Sequence, residues 1–360
     1  MAANPTLENP SVTSTQLVTE MLPVASLTKR AVFIEGPPGC GKSAVVRQYA
    51  KDADACLLDT RFGSYDITDV KGMPFPNRTN GTTEFLPVRA FPTRKNVEAG
   101  LFGGQSKIVW LWDEFGHAPQ TIQRQAFEIV HERTIAGEPL DPSVQIVLIS
   151  NRVQDKAGVA VMPAPLPTRM FNVRFAPTFE EWYNWGIDTA KVRPEILAYF
   201  KRNPAQLDEF DPLKLVANTP YCCRRSVELL SEGVTAFRNL FGARAGIPQY
   251  LCSSTLGQAV GESIHAQFDI VLTLPTMDEI IADPDAASLP NSIGGKLIVA
   301  SMVEQLVTAA CFGSVVKYLK RLPKDIELAA LVPSFKRKRE ELSKAPEFKA
   351  WALANRNEVA

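Results

Sequence analysis

Hydrophobic positions in the first half of the chain fall into short runs, and stretches with helical spacing separate these runs. The pattern predicts five buried strands, at AVFIE, CLLD, KIVWLWDE, VQIVLIS and FNVRF. Helices are predicted between them, for example at KSAVVRQYA and PQTIQRQAFEIVHER. Short apolar strands that alternate with helices are typical of a parallel sheet covered on both faces, so the predicted fold class is α/β.

The predicted strands stop after about residue 177, because FEEWYNWGI, PEILAYFKRNP and later runs have helical spacing. This change divides the chain into a lead-in at 1–28, an α/β core at 29–176, a helical domain at 177–275 and a C-terminal helical extension at 276–360. A stretch rich in Gly, Pro and Asn, residues 61–92, interrupts the core as an insertion. Asn80-Gly81 within it is the expected turn of a hairpin.

Charge and cysteine content narrow the function classes that remain. Lysine and arginine number 39, as do aspartate and glutamate, so no overall field attracts nucleic acid or anionic lipid, although a local basic pore stays open. Six cysteines without a CxxC pair, and only three histidines, argue against zinc and for reduced thiols in the cytoplasm. Glu304 and Gln305 interrupt the most apolar late segment, which we therefore interpret as a buried helix and not a membrane span.

One segment matches the phosphate-binding pattern G-x-x-x-x-G-K-[ST] at every position, namely Gly36, Pro37, Pro38, Gly39, Cys40, Gly41, Lys42 and Ser43. It follows a predicted strand and opens a predicted helix. Its glycines let backbone N–H groups converge on phosphate oxygens, and the helix adds its positive N-terminal end. Lys42 is expected to reach the β- and γ-phosphates and Ser43 to ligate Mg²⁺, so ATP and Mg²⁺ are the predicted cofactors.

Two adjacent carboxylates, Asp113 and Glu114, follow the buried run IVWLW. Carboxylates at the end of a buried strand are costly unless something there requires them. Asp113 is placed to hold the hydration shell of Mg²⁺, and Glu114 to orient or deprotonate the attacking water. The alternative is an acidic cap on the following helix. Asn151 ends the run VQIVLIS, where its amide either binds the γ-phosphate or the lytic water, or merely starts a turn.

The order of these motifs, followed by Arg169 in PLPTRMFNVRF, resembles an AAA+ ATPase. More narrowly, the chain is similar to the MoxR-like branch in its bacterial and phage versions. The insertion DITDVKGMPFP after the second strand, the ending LPTRM…RF of the core and FEEWYNWG after it carry that narrower resemblance. It covers roughly residues 30 to 235 well and the C-terminal quarter weakly.

The resemblance implies a role for several residues. Asn151 would be the sensor at the end of the fourth strand, and Arg169 an arginine finger that acts on ATP held by the next subunit. Residues 177–275 would form the lid. Its second sensor would be Arg224 or Arg225 in NTPYCCRRSVELL, with Arg225 favoured because RSVELL starts the helical pattern. The usual motif has Pro directly before this arginine, whereas here Pro220 is separated from it.

The resemblance also implies an assembly and an activity. The chain would form a homo-oligomer, a hexameric ring, that hydrolyses ATP with Mg²⁺ and remodels a protein client, in some relatives with a von Willebrand factor A domain partner. Two alternatives stay open, a nucleic-acid motor or loader on the same core and a nucleotide-gated binding module with little turnover. Zero net charge disfavours the motor, and an intact Glu114 and Arg169 disfavour the module. The sequence names neither the client nor the ring size.

Overall fold

The computed structural model describes residues 9–86, 88–155, 157–208 and 210–359, and the first eight residues of the predicted lead-in lie outside this range. The chain divides into two units. The first comprises 1–178 together with 211–214, and the second 179–210 together with 215–360.

The first unit contains all the strands among the described residues, together with six α-helices. Its strands are β1 (Ser11–Val12), β2 (Ala31–Glu35), β3 (Cys56–Thr60), β4 (Met73–Asn77), β5 (Thr82–Leu86), β6 (Ile108–Trp112), β7 (Thr134–Ile135), β8 (Glu138–Pro139), β9 (Val144–Ser150) and β10 (Met170–Phe175). Its helices are α1 (Ser14–Gln16), α2 (Leu22–Leu27), α3 (Lys42–Asp52), α4 (Ile67–Lys71), α5 (Arg94–Glu98) and α6 (Gln120–His131). A π-helical turn, Leu17–Met21, joins α1 to α2.

Six strands form one parallel sheet in the order β1-β10-β2-β9-β6-β3. The five apolar runs of the sequence are five of these strands, so the predicted α/β fold class with a parallel sheet is confirmed. The sixth strand, β1, is a pair of residues in the lead-in, which the sequence pattern did not predict as a strand. Because the chain leaves β2 for one edge of the sheet and later returns to its other side at β10, β2 lies at a topological switch point. Ligands of open α/β sheets bind beside such a point, outside the carboxyl ends of the strands.

Both faces of the sheet are covered, as the apolar runs predict. One face presents Phe33, Trp110 and Leu148 to an apolar core shared with α6. Neighbouring positions on the same strands, such as Ile34 and Val147, face the opposite core with α2 and α3. This alternation explains why the runs are continuously hydrophobic. Each large side chain buried in this way contributes about 1.5–3 kcal/mol, and both tryptophans of β6 are fully buried.

The insertion at 61–92 contains α4 and an antiparallel hairpin of β4 and β5. The turn predicted at Asn80-Gly81 is present, with a positive φ of 71° at Gly81 and a 3.0 Å hydrogen bond from its N–H to Asn77 O. Only a residue without Cβ adopts this φ at no steric cost. The hairpin leaves Met73 and Phe75 exposed.

The second unit contains helices and loops but no strand among its described residues. Its helices are α7 (Phe179–Thr189), α8 (Pro194–Arg202), α9 (Arg224–Phe241), α10 (Gln249–Leu256), α11 (Gln258–Val271), α12 (Met277–Ala282), α13 (Ile293–Leu306), α14 (Phe312–Leu319), α15 (Lys324–Leu342), α16 (Phe348–Ala354) and α17 (Arg356–Val359). One apolar core lies among α7 to α11, and another mainly among α12 to α16. The predicted border between residues 275 and 276 falls inside this unit, so the separation of a lid from an extension stays a prediction.

The sequence predicts one buried helix for the apolar late segment, residues 297–319, but the structure divides it between α13 and α14, with a break at residues 307–311. Glu304 and Gln305 lie in α13. Both side chains are buried and both have partners in this unit. Across the part of the chain that the structure describes, no helix combines the length and the hydrophobicity that a membrane crossing requires.

Candidate nucleotide-phosphate site

The loop between β2 and α3 has the backbone that its sequence predicts. Gly39 and Gly41 adopt positive φ values of 79° and 99°, which favour glycine because it has no Cβ. Helix α3 begins at Lys42 with Gly41 as its N-cap. The backbone N–H groups of this first turn and the positive end of the helix dipole therefore lie at the carboxyl edge of the sheet, where they suit an anionic phosphate.

Lys42 joins the loop to the end of a neighbouring strand. Its side chain is buried, and Nζ donates to Gly36 O and Pro37 O at 2.8 Å each and to Asn151 Oδ1 at 3.1 Å. The pairing of β2 with β9 explains this contact, because Glu35 and Ser150 are in register and the two chains leave the sheet side by side. The structure thus brings Asn151 to the phosphate loop.

Ser43 and Asp113 also meet at this edge. The Ser43 hydroxyl donates to Asp113 Oδ1 at 2.8 Å, and the aspartate, directly after β6, is only 5% exposed. Hydroxyl and carboxylate oxygens are hard donors of the kind that Mg²⁺ prefers. Within the described ranges, no group of three or more His, Cys, Asp or Glu side chains is placed to hold a metal. Mg²⁺ does not require one, since it is bound through one or two carboxylates and substrate phosphates. The Ser43–Asp113 pair therefore fits this metal.

Two arginines that the sequence reasoning missed lie next to Asp113. Arg47 Nη2 is 3.3 Å from Asp113 Oδ2 and 2.7 Å from Asp59 Oδ2, and Arg61 Nη2 is 4.0 Å from Asp113 Oδ2. The hydrogen bond that Arg47 donates to Asp59 is the main cause of a raised pKa for Arg47. Because Asp113 Oδ2 faces the two arginines, Asp113 Oδ1 is turned toward Ser43. Arg47 lies four residues after Ser43, on the same helix face, and this spacing was the available signal.

Glu114 follows Asp113 in an unusual backbone conformation. Its φ of 56° and ψ of 33° lie in the left-handed region, which costs a residue with a Cβ about 1–2 kcal/mol. The side chain is exposed, and the backbone N–H donates to Asp113 Oδ1 at 3.1 Å. Backbone strain of this kind clusters at active sites. Here the sharp turn sends two consecutive carboxylates in different directions, one into the site and one into solvent.

The loop after Asn151 is held by a buried ion pair. Arg152 Nη2 and Nε donate to Asp155 Oδ1 at 2.6 and 2.9 Å, and the Asp155 side chain is fully buried. The Ser150 hydroxyl donates to the Asn151 carbonyl at 2.8 Å. These contacts hold the backbone on both sides of Asn151, whose amide oxygen accepts from Lys42.

Arg169 is not part of this cluster in the described contacts. It ends a short 3₁₀ turn before β10, where Nη1 donates to Pro165 O at 2.7 Å and to Thr168 Oγ1 at 2.9 Å. Its guanidinium carbon lies 4.3 Å from the centre of the Phe127 ring. Arg169 Nε is buried without an acceptor among the described residues.

The two candidate lid arginines lie in the second unit, at the start of α9. Arg224 Nε donates to Asp208 Oδ2 at 3.1 Å, whereas Arg225 is exposed. The choice of Arg225 as the second sensor stays a prediction.

No family model matches the chain, and no curated protein matches it. Solved structures similar to it include a RuvB variant from Thermotoga maritima, with 12% identity, coverage of 71% of this chain and 69% of that one, and a TM-score of 0.38. NtrX from Brucella abortus in complex with ADP has 12% identity, coverage of 96% and 68%, and a TM-score of 0.35. Similarities at this level assign neither a family nor an activity to the chain.

Proposed function

We propose that the chain is a Mg²⁺-dependent ATPase of the AAA+ type. One observation carries this proposal. Lys42 contacts Asn151 at 3.1 Å and Ser43 contacts Asp113 at 2.8 Å, so four side chains from three segments converge where α3 begins. Each belongs to a residue type that nucleotide hydrolysis uses, and each lies at the carboxyl edge of the sheet, next to the switch point at β2.

Each residue then has a distinct task. Lys42 binds the β- and γ-phosphates together with the N–H groups of the loop, and Ser43 and Asp113 hold Mg²⁺. When bound, Mg²⁺ neutralises charge on the phosphate oxygens. Glu114 orients the attacking water and accepts its proton, and Asn151 hydrogen-bonds the γ-phosphate or this water. The 5% exposure of Asp113 limits competition from bulk water for the metal-binding oxygen.

The finer assignment follows from the sequence resemblance. In our proposal the chain acts in the cytoplasm as a MoxR-like chaperone or remodelling ATPase in a homo-oligomeric, hexameric ring. Arg169 serves as the finger for the neighbouring subunit, and a protein client, with or without a von Willebrand factor A domain partner, receives the mechanical work. The exposed hairpin of the insertion, with Met73 and Phe75, is a surface available for such a contact.

Nucleotide binding by a matched pair of variants tests the core of the proposal. Lys42→Ala removes the amine that faces the phosphates, whereas Lys51→Ala removes an exposed lysine near the other end of α3. Because a charge-assisted hydrogen bond contributes about 1.5–3 kcal/mol, we expect Lys42→Ala to weaken the binding of a labelled ATP analogue by about tenfold to a hundredfold or more. Lys51→Ala should bind normally. Near-normal affinity of Lys42→Ala would refute the phosphate site.

The client requires a different experiment. A Glu114→Gln variant that holds ATP without hydrolysing it should retain clients during affinity purification from the native host. Wild-type protein purified in parallel is the control, because its turnover releases them. Recovery of nucleic acid instead of protein would favour the nucleic-acid motor, and a tenfold or greater stimulation of hydrolysis by DNA would support the same conclusion.

A further inference from the structure

The second unit contains a large groove lined by its own residues. It lies between the start of α8, one face of α9, the turn from α11 to α12, and α13, and it has a volume of about 960 Å³. This size is in the range of pockets that bind small organic ligands. We refer to it as the α9–α13 groove.

Apolar side chains form most of one wall. They are Leu274, Met277, Ile298, Val299, Met302 and Leu306. Leu306 is 44% exposed, whereas the first four are buried, so the wall deepens from an open rim to a covered floor. Such a wall favours an apolar body over a fully charged one.

Three charged side chains form the opposite end. Arg193 Nε donates to Glu195 Oε1 at 2.6 Å, and Arg238 Nη1 donates to the same oxygen at 2.8 Å. Two guanidinium groups therefore share one carboxylate, which is only 4% exposed. The other charged side chains of the groove are exposed to solvent, namely Glu232, Asp278, Lys191 and Arg244. The two basic side chains among them are paired with Glu228 and Glu279. The buried cluster of two arginines and one glutamate has a net charge of one positive unit.

Arg238 has an unused hydrogen-bonding edge. Its side chain is 9% exposed, and its Nε is buried without an acceptor among the residues that the structure describes. Since Nη1 is taken by Glu195, the Nε–Nη2 edge remains, and this edge of a guanidinium binds a carboxylate through two parallel hydrogen bonds. Burial lowers the pKa of Arg238, and Arg193 lowers it further while Glu195 opposes both. A second anion beside Arg238 would offset the unfavourable burial of its positive charge.

We infer that the α9–α13 groove binds a small organic anion, with one carboxylate on the Nε–Nη2 edge of Arg238 and an apolar body along the wall formed by α13. The inference does not depend on the proposed ATPase activity, because none of these residues belongs to the phosphate site. The ligand would occupy the helical unit and give that unit a binding role of its own.

Calorimetry on the full-length protein tests this inference with three matched probes, decanoate, decanol and decylammonium, below their micelle concentrations. We expect one decanoate to bind per chain. Decanol and decylammonium should bind at least about tenfold more weakly, because neither supplies charge-assisted acceptors to Arg238. Equal affinity for all three probes, or no saturable decanoate binding, would overturn the inference.

Two variants locate the site. Arg238→Met keeps most of the aliphatic side chain but removes the guanidinium. In this variant the buried carboxylate of Glu195 still has Arg193 as its partner. Ala236→Trp fills the groove from an exposed position on α9 and leaves the charged cluster intact. Each should weaken decanoate binding at least about tenfold, whereas Arg356→Met, at an exposed position of α17, should not. Should Arg238→Met fail to fold, unchanged decanoate binding by Ala236→Trp would still overturn the assignment.

Discussion

At the scale of single residues, Glu114 combines a strained backbone with an exposed carboxylate. Its left-handed φ of 56° turns the side chain away from Asp113, although the two residues are adjacent in sequence. A carboxylate held in this way can act on a water without competing for the metal. This position is consistent with the base proposed above, so removing the carboxylate should separate ATP binding from hydrolysis.

We expect Glu114→Gln to bind ATP with nearly normal affinity and to hydrolyse it about 10²–10⁴-fold more slowly, because a positioned base contributes that much. Nucleotide binding and phosphate release, measured on the same preparation, test this expectation. Glu132→Gln, an exposed glutamate that follows α6, is the control. A wild-type rate for Glu114→Gln would mean that another group activates the water.

The sequence alone predicted the residues that act within one local motif. Lys42 and Ser43 are recognisable because the phosphate loop is contiguous in the chain. Arg61 was missed because it contacts Asp113 only once β3 and β6 pair in the sheet, and no local pattern identifies that pairing. Arg47 was missed although its position four residues after Ser43, on the same face of α3, indicated that it lies near Asp113.

At the scale of elements, the turn after β6 packs tightly on the end of β9. A Cβ added to Gly116 would lie 2.2 Å from Ser150 Oγ and 2.5 Å from Val159 Cγ1, closer than real Cβ contacts allow. Ser150 Oγ donates to the carbonyl of Asn151, so a displacement of Ser150 would also displace Asn151. The glycine thus allows the two strand ends to approach each other.

Gly116→Ala should lower the free energy of unfolding by about 1–3 kcal/mol, the usual cost of overpacking. Hydrolysis should fall more than ATP binding, because Asn151 is displaced while the loop is not. Urea unfolding, followed by tryptophan fluorescence, and phosphate release measure the two effects. Gly63→Ala is the control, since its Cβ would meet His117 at an ordinary 3.7 Å. Equal stability of both variants would contradict the close approach.

Four helices of the second unit meet at one buried carboxylate. Glu304 in α13 is 1% exposed and accepts from Tyr183 OH at 2.8 Å and Arg337 Nη1 at 2.5 Å, with Lys201 Nζ at 3.4 Å. Burial and the Glu304 charge raise the pKa of Tyr183, so its hydroxyl remains a proton donor. The sequence showed only that this acid interrupts an apolar helix. Its partners come from α7, α8 and α15, which no local pattern connects.

Glu304→Leu should lower the free energy of unfolding by about 3–5 kcal/mol, because Arg337 would lose its buried counter-charge. Urea unfolding monitored by circular dichroism measures the loss. Glu340→Leu, an exposed position in α15, should change stability by no more than about 0.5 kcal/mol. A small effect of Glu304→Leu would mean that water or a rearranged side chain replaces the carboxylate.

At the scale of the whole molecule, the proposed ring requires Arg169 to contact the ATP of a neighbouring subunit. This residue comes just before β10, and its described contacts are with Pro165 and Thr168 of its own segment and with the ring of Phe127 on α6. Its Nε has no acceptor among the described residues. A guanidinium held by its neighbours, with donor capacity left over, suits contact with a phosphate that another subunit supplies.

Arg169→Ala should bind ATP nearly normally and hydrolyse it about 10³–10⁵-fold more slowly, which is the contribution of an arginine finger to phosphoryl transfer. The matched control is Arg124→Ala, an exposed arginine on α6. Normal hydrolysis by Arg169→Ala would exclude the role outright.

Mixing two inactive variants then decides whether Arg169 acts between subunits. Lys42→Ala subunits lack a working phosphate loop but have an intact Arg169. Arg169→Ala subunits have an intact phosphate loop but lack the arginine. In a mixed ring an intact loop can face an intact finger, so hydrolysis should partly return and should depend on the mixing ratio. Native mass spectrometry verifies that mixed rings form. If they form and stay inactive at every ratio, Arg169 does not act in trans, and a finger within the same chain would have to be sought among Arg47 and Arg61, the arginines already next to Asp113.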